Sequence, residues 1–548
     1  MKYHLCFLSL FLFAGLGVDP VSLWPSSVAL GEEDRSAEVS KEEKAENASQ
    51  AGNGTGKGTA SDDPQVDDDA DKQPRPENEA KDPGIPVWEL SPAAEPSPAL
   101  TYRFWPEPTQ TESGDAFDRF MRAALLLSKM ELEAFQEHDD LMEAPMSEFP
   151  IERAREALRP FNTVIRETRQ GAMLSVTPRD LGTQQLKGAE LYAFVLPEIE
   201  EMRRLARLLK LQSKVELAEG NLEKAFETIQ ASFRLGFATG RSTDFLISRL
   251  AGVAIINMSL GQAEAVIKIE DSPNLYWALA TLPSDIGDVS GAMRYEMSVI
   301  ERVLPELFNL PDPDSQLAES LPASVWQERL VRTIAEFQTL YGVADSGRSH
   351  SDREDTSARL TAAMALIALS DPSRKQLSEY GYDEQTVEEM SAAEAILRAS
   401  AEQIERVVDQ QLKWCFLPEP MRQRYLQQSG EQLNQSLKKE AGFGSLASQL
   451  AAMIVPSLSG VQRASDDLSQ SVAKLITVEA IRHHVARQGS LPESLDEMTE
   501  LPAWQDPSAE GPFGYQKLTP NTARLSWQSQ LPEARRGNIV LSFPSLTN

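Results

Sequence analysis

Histidine and cysteine are scarce in this 548-residue chain, which has five of the former and two of the latter. Cys6 lies inside an N-terminal apolar run, so a chain that loses that run keeps only Cys415 and can form no intramolecular disulfide. Cys415 stands in LKWCFLPEP between Trp414 and Phe416, the setting of a buried apolar thiol rather than a nucleophile. Also missing are a G-x-S-x-G elbow, a phosphate-binding loop, a dinucleotide fingerprint and the H-E-x-x-H arrangement of metalloproteases. Positive charge is under-represented: 53 Lys and Arg against 83 Asp and Glu leave a net charge of -30. Such a chain repels phosphate backbones and anionic headgroups, which argues against nucleic acid and against electrostatic attachment to a membrane surface. A hydrophobic content of 41% is nonetheless that of a folding chain. The length exceeds what one core usually serves, so two or more units or an extended helical array are expected.

The first segment, residues 1–29, reads as an export signal. Lys2 gives a short positive region, and Leu5–Val18 (LCFLSLFLFAGLGV) is apolar but shorter than the roughly 20 residues of a spanning helix. Ser27 and Ala29 offer a cleavage site and Gly15–Gly17 an earlier one; an uncleaved anchor is the other reading. Residues 30–85 form an acidic linker expected to be disordered. Between 31 and 85 there are 16 acids, 7 bases and no aromatic residue, too little apolar surface to offset the entropy of ordering. Asp67, Asp68 and Asp69 lack the glycine-bearing loop of a calcium site, and Asn47 and Asn53 open N-x-S/T triplets.

Residues 86–470 are expected to be a helical domain. Ser113 or Asp115 can cap a helix running through Leu127. Leu205, Leu208, Leu209 and Leu217 share one face of a longer helix that Gly220 ends. Asn221 then begins a second, with Leu222, Ala225, Phe226, Ile229 and Phe233 on one stripe. This helix, glycine turn and helix resemble a tetratricopeptide unit, so the expected fold class is mainly α, a partly tetratricopeptide-like array of helical hairpins with a small C-terminal α+β module. The run from Leu250 to Leu260 is apolar all round and predicts the most buried helix; Arg249, Asn257 and Gln262 interrupt it before the length of a span. Ser272 or Asn274 can cap the next helix, whose Tyr276 and Trp277 are expected to pack rather than line a groove. ADSGRSHSDREDTS (Ala344–Ser357) reads as a mobile polar loop. Three further helical segments follow, one capped by Asp383, with Pro418 and Pro420 breaking the chain after the Trp414 segment, between the second and the third.

Together YRFWPEPTQTESGDAF, LPEIEEMRRLARLLKLQSKVELAEGNLEKAFETI, LISRLAGVAI, SPNLYWALATLP and LKWCFLPEP resemble an uncharacterised family of exported, mostly helical proteins of planctomycete bacteria. The resemblance implies export and a helical fold and brings no activity or site residue with it. Residues 471–548 are expected to form the α+β module: a helix ending at Gly489, a short helix near Ser490 or Ser494, and three strands carrying Phe513, Tyr515, Leu525 and Trp527. The order of helix, G-x-x-P, S-L-x-E, D-P, glycine and F-x-Y is loosely similar to the C-terminal domain of type II secretion pseudopilins, though here it lies at the far end of the chain.

Glu479 and His483, at i, i+4 on one helix face with His484 adjacent, are the weak candidates for metal ligands; no third ligand follows at a recognisable spacing, and no cofactor is expected. His138 stands among acids on an expected surface helix, and His350 falls in the polar loop. The expected role is that of a non-catalytic scaffold or interaction protein of the cell envelope, periplasmic or extracellular, with another envelope protein or peptide as partner. The alternatives are an envelope hydrolase using acidic residues in a helical groove, for which raised-pKa carboxylates in a cleft would speak, and an accessory of a secretion system.

Overall fold

The computed structural model describes residues 84–546 apart from 131–137, 139, 193, 195, 313–314, 316–320, 346–350, 418–420, 423–424, 426–427, 430–445, 510 and 528–536. The signal segment, nearly all of the acidic linker and His350 therefore lie outside the described residues, as does the side chain of Cys415.

The described chain is mainly helical with a small sheet formed largely at its C-terminal end. It begins with strand β1 (Val87–Glu89) and, after an irregular stretch, β2 (Glu112–Asp115). Helix α1 (Ala116–Leu127) starts where expected, with the Asp115 carboxylate accepting from Phe117 N–H at 2.9 Å. Helices α2 (Ile151–Leu158) and α3 (Asn162–Ala172) follow, and β3 (Leu174–Ser175) pairs with β2. Next come α4 (Glu198–Ala218), α5 (Leu222–Arg241) and α6 (Leu246–Ile267). Gly220 turns between α4 and α5 at φ +73°, a conformation that costs glycine little. Asn221 holds the N-cap position of α5 without a side-chain cap bond.

Two apolar cores result. The first joins α1 to α4 through Phe117, Phe120, Phe161, Leu205 and Leu208. His138 belongs there and not on the surface: it is 3% exposed, edge-on to Phe161 at 5.0 Å and within 3.2 Å of the Ala157 carbonyl. Its acidic sequence neighbours gave the opposite expectation, but a ring packed on another ring is a tertiary contact that local composition does not report.

Helix α6 is apolar on all sides, as expected, and is long and apolar enough to cross a membrane by length and composition; 67% of its most apolar window is buried. It lies so close to α5 that a Cβ on Gly252 would stand 2.6 Å from the Gly240 Cα and 2.7 Å from the Gly236 carbonyl oxygen. Two of its buried polar residues are satisfied inside: Ser259 Oγ donates to Ser232 Oγ at 2.8 Å, and Gln262 bridges Ser232 on α5 (3.2 Å) and Ser213 on α4 (2.9 Å).

The second core is built on α6 with α7 (Tyr276–Ala280), α8 (Ser290–Val303), α9 (Ala323–Asp345), α10 (Ser351–Glu379) and α11 (Ala392–Leu412). The polar stretch expected as a loop is largely helix: Ala344 and Asp345 finish α9, and Ser351–Ser357 form the first turns of α10. Ala358 and Ala362 are buried on its inner face. Asp383 caps a short helix by accepting from Thr386 N–H at 3.1 Å.

Helix α12 (Leu446–Gln488) is continuous through Pro456, so the boundary drawn at residue 470 falls inside it. Gly489 ends it at φ +69°. A short pair, β4 (Gln505–Asp506) and β5 (Gly511–Pro512), leads to the meander β6 (Gly514–Thr519), β7 (Thr522–Trp527) and β8 (Gly537–Ser542). Phe513 and Leu525 are buried as the alternation requires. The fourth strand of this sheet is β1, running parallel to β8 with Val87 opposite Val540 and Trp88 opposite Leu541. Ile476 and Ile481 of α12, Leu525 and Leu541 of the sheet and Trp88 share the core that α6 centres, so the C-terminal module is not separately cored.

Candidate functional sites

The three sequence-predicted residues lie together on α12 where it crosses the segment that follows β1. Glu479 and Arg482 are both 0% exposed, joined by an ion pair of 2.7 Å. The other Glu479 oxygen accepts from Leu275 N–H at 3.1 Å, at the start of α7. Arg482 donates through Nε to the Ser91 carbonyl and through Nη2 to the Ser272 carbonyl and hydroxyl, each at 2.9 Å. Asn274 donates to the carbonyls of Ala93 (3.0 Å) and Glu479 (2.8 Å) while its oxygen accepts from Tyr276 N–H. Both capping candidates before α7 are thus used, Asn274 at the helix and Ser272 on Arg482. Burial pushes the Glu479 carboxyl up, against the opposing pull of Arg482 and the Leu275 N–H.

His483 is 5% exposed and serves the same junction. Its Nδ1 accepts from Glu95 N–H at 2.9 Å, which fixes the ring tautomer: the proton sits on Nε2 and is donated to Glu500 at 3.0 Å. Glu500 also pairs with Arg487 at 3.3 Å. Trp277 Nε1 donates to Glu95, and Tyr276 donates to the Pro502 carbonyl at 2.9 Å, so both aromatics pack and bond within the fold. His484 is half-buried, and burial lowers its pKa from the ordinary histidine value. Glu479 and His483 therefore share a helix face, yet their polar atoms are directed to different partners. Among the described residues no group of three or more His, Cys, Asp or Glu is placed to hold a metal ion.

Other carboxyls raised by burial lie elsewhere. Glu296 on α8 is 8% exposed, and burial lifts its carboxyl to about 7 although Leu246 N–H, at the start of α6, donates to it at 3.3 Å. Glu336 on α9 also rises to about 7, through burial and then the charge of Glu306. On α4, Lys214 falls to about 8 through burial and neighbouring Lys210; its ammonium lies 4.8 Å over the Phe149 ring and donates to the carbonyls of Leu141 (3.2 Å), Met142 (2.8 Å) and Ala144.

A groove of about 340 Å³ opens along α3, with Gln212 of α4 on its far wall. Arg166 and Arg169, one turn apart, line it with Asn162 and Gln170, over an apolar floor of Ile165 and Met173. Behind Arg169 stands a buried junction of three helices: Glu216 on α4 accepts from Arg169 Nη2 (2.5 Å), Gln212 Nε2 (2.8 Å) and Thr228 Oγ1 of α5 (2.5 Å). No motif in the sequence marks these residues; their local signal is weak, two arginines three residues apart in VIRETRQG. No protein family matches the chain, and neither a curated protein nor a solved structure matches it.

Proposed function

We propose that this chain is a non-catalytic helical scaffold, exported to the cell envelope, that binds another envelope protein or peptide. The partly tetratricopeptide-like array of hairpins is part of this proposal. The observation that carries it is the use of Glu479, Arg482 and His483 in the fold: Glu479 and Arg482 pair with each other, and Arg482 and His483 bond to the backbone of Ser91 and Glu95. An outward stripe on α10, Leu360, Met364 and Ile367 at helical spacing and 63%, 46% and 86% exposed, supports a binding role, because monomeric proteins rarely leave such surface open. The test is crosslinking of the full chain in its native envelope. A discrete crosslinked protein, lost in Ile367→Glu, supports the reading; turnover of an envelope polymer by the purified chain without any crosslinked protein contradicts it.

The hydrolase alternative draws on Glu296 and Glu336, but neither lines the groove. A role as accessory of a secretion system is favoured by the long helix α12 running into an antiparallel meander, and co-purification with pilins would separate it from the scaffold reading.

A further inference from the structure

The α3 groove has a chemistry that sets it apart from the rest of the chain. In a protein of net charge -30 it is lined by two guanidiniums and three amides, with no acidic side chain among its lining residues. The two arginines differ in state. Arg169 is held from behind by Glu216 and Thr228, which fixes the plane of its guanidinium, and its Nε has no hydrogen-bond partner. Arg166 is exposed and pairs with no acid among the described residues. Counting Glu216 behind them, the site carries one net positive charge. It suits a single negative charge better than a dianionic phosphate, and a guanidinium fork matches the two oxygens of a carboxylate.

The remaining wall describes the body attached to that carboxylate. Asn162, Gln170 and Gln212 bring amide donors and acceptors suited to peptide groups, while Ile165 and Met173 offer an apolar floor. A volume of about 340 Å³ is at the small end of ligand sites and admits a few residues at most. We infer that this groove binds the carboxylate end of a short peptide, with Arg166 as its charge partner and Arg169 as a pre-set second arm. The inference goes beyond the scaffold reading and holds whether or not the chain has a protein partner.

The test is saturation-transfer NMR on the full chain with N-acetyl-Ala-Ala, its C-terminal amide and inorganic phosphate as probes. The free carboxylate is expected to receive saturation, with affinity falling about tenfold in Arg166→Gln, the loss of one charge-assisted bond pair. Because Arg166 is exposed and unpaired, that variant keeps the wild-type unfolding midpoint, so a loss of binding reports on the site. Equal binding of the amide, unchanged binding by Arg166→Gln, tighter binding of phosphate than of the peptide, or no binding of the peptide would each overturn the assignment.

Discussion

Replacing Glu296 by Gln tests how the core handles a buried carboxyl with no cation paired to it among the described residues. The folded protein holds this group to about 7, against an ordinary value of 4.5. Between those pH values the native state binds more protons than the unfolded chain, so its contribution to stability is fully present below about 4.5 and is lost as pH rises through 7. A gap of about 2.5 pKa units corresponds to about 3 kcal/mol, an upper bound because structure relaxes around a buried charge. Gln is uncharged at every pH and its Oε1 can still accept from Leu246 N–H. Urea unfolding of wild type and Glu296→Gln at pH 5 and pH 8 gives a double difference from which distant titrating groups, Glu336 among them, cancel. The variant should lie close to wild type at pH 5 and exceed it at pH 8 by up to about 3 kcal/mol. An equal loss of stability at both pH values would refute the reasoning, since it would mean that the carboxyl is needed for its shape and bonds and its charge costs nothing.

Gly252→Ala should lower stability by about 2 kcal/mol or more, read from urea midpoints, because the new methyl meets the backbone of α5 rather than a side chain that can move. Glu479→Ala should cost about 3–5 kcal/mol in the same assay by leaving Arg482 buried without its carboxylate. Stability should rise between pH 8 and pH 10.5 as the unfolded chain, but not the folded one, keeps a proton on Lys214; Lys214→Met should flatten that rise, as followed by thermal melts across the range.

The helices were legible because their signals are local. Asp115, Leu205, Leu208, Leu209 and Gly220 each read as they stand, and so did the all-apolar α6 and the three strands of the meander. The rest depends on partners far along the chain. Val87–Glu89 lies in a proline-rich stretch with no alternation, and it becomes a strand only because β8, at the opposite end of the chain, offers an edge. The candidate site failed for a related reason. Spacing drew attention to Glu479 with His483, but the bond that matters is the one to Arg482. The signal for it was present: a Glu and an Arg three residues apart among Val478, Ala480, Ile481 and Val485 mark a charge pair on a helix with no polar face to spare. That its backbone acceptors lie at Ser91 and Ser272 could not be read locally. The α3 groove was missed because one of its walls and the Glu216 that pairs Arg169 come from α4, and the Thr228 hydroxyl from α5.

On the scaffold proposal, Glu479, Arg482 and His483 serve the fold rather than a reaction. The most direct measurement is the thermal unfolding midpoint of the full chain, with and without a panel of divalent metals, in wild type and in Glu479→Ala/His483→Ala. The midpoint should be lower in the double variant whatever metal is present, with no metal-dependent rise in wild type. A rise with one metal in wild type that the double variant loses would contradict it, and would make that helix face a metal site.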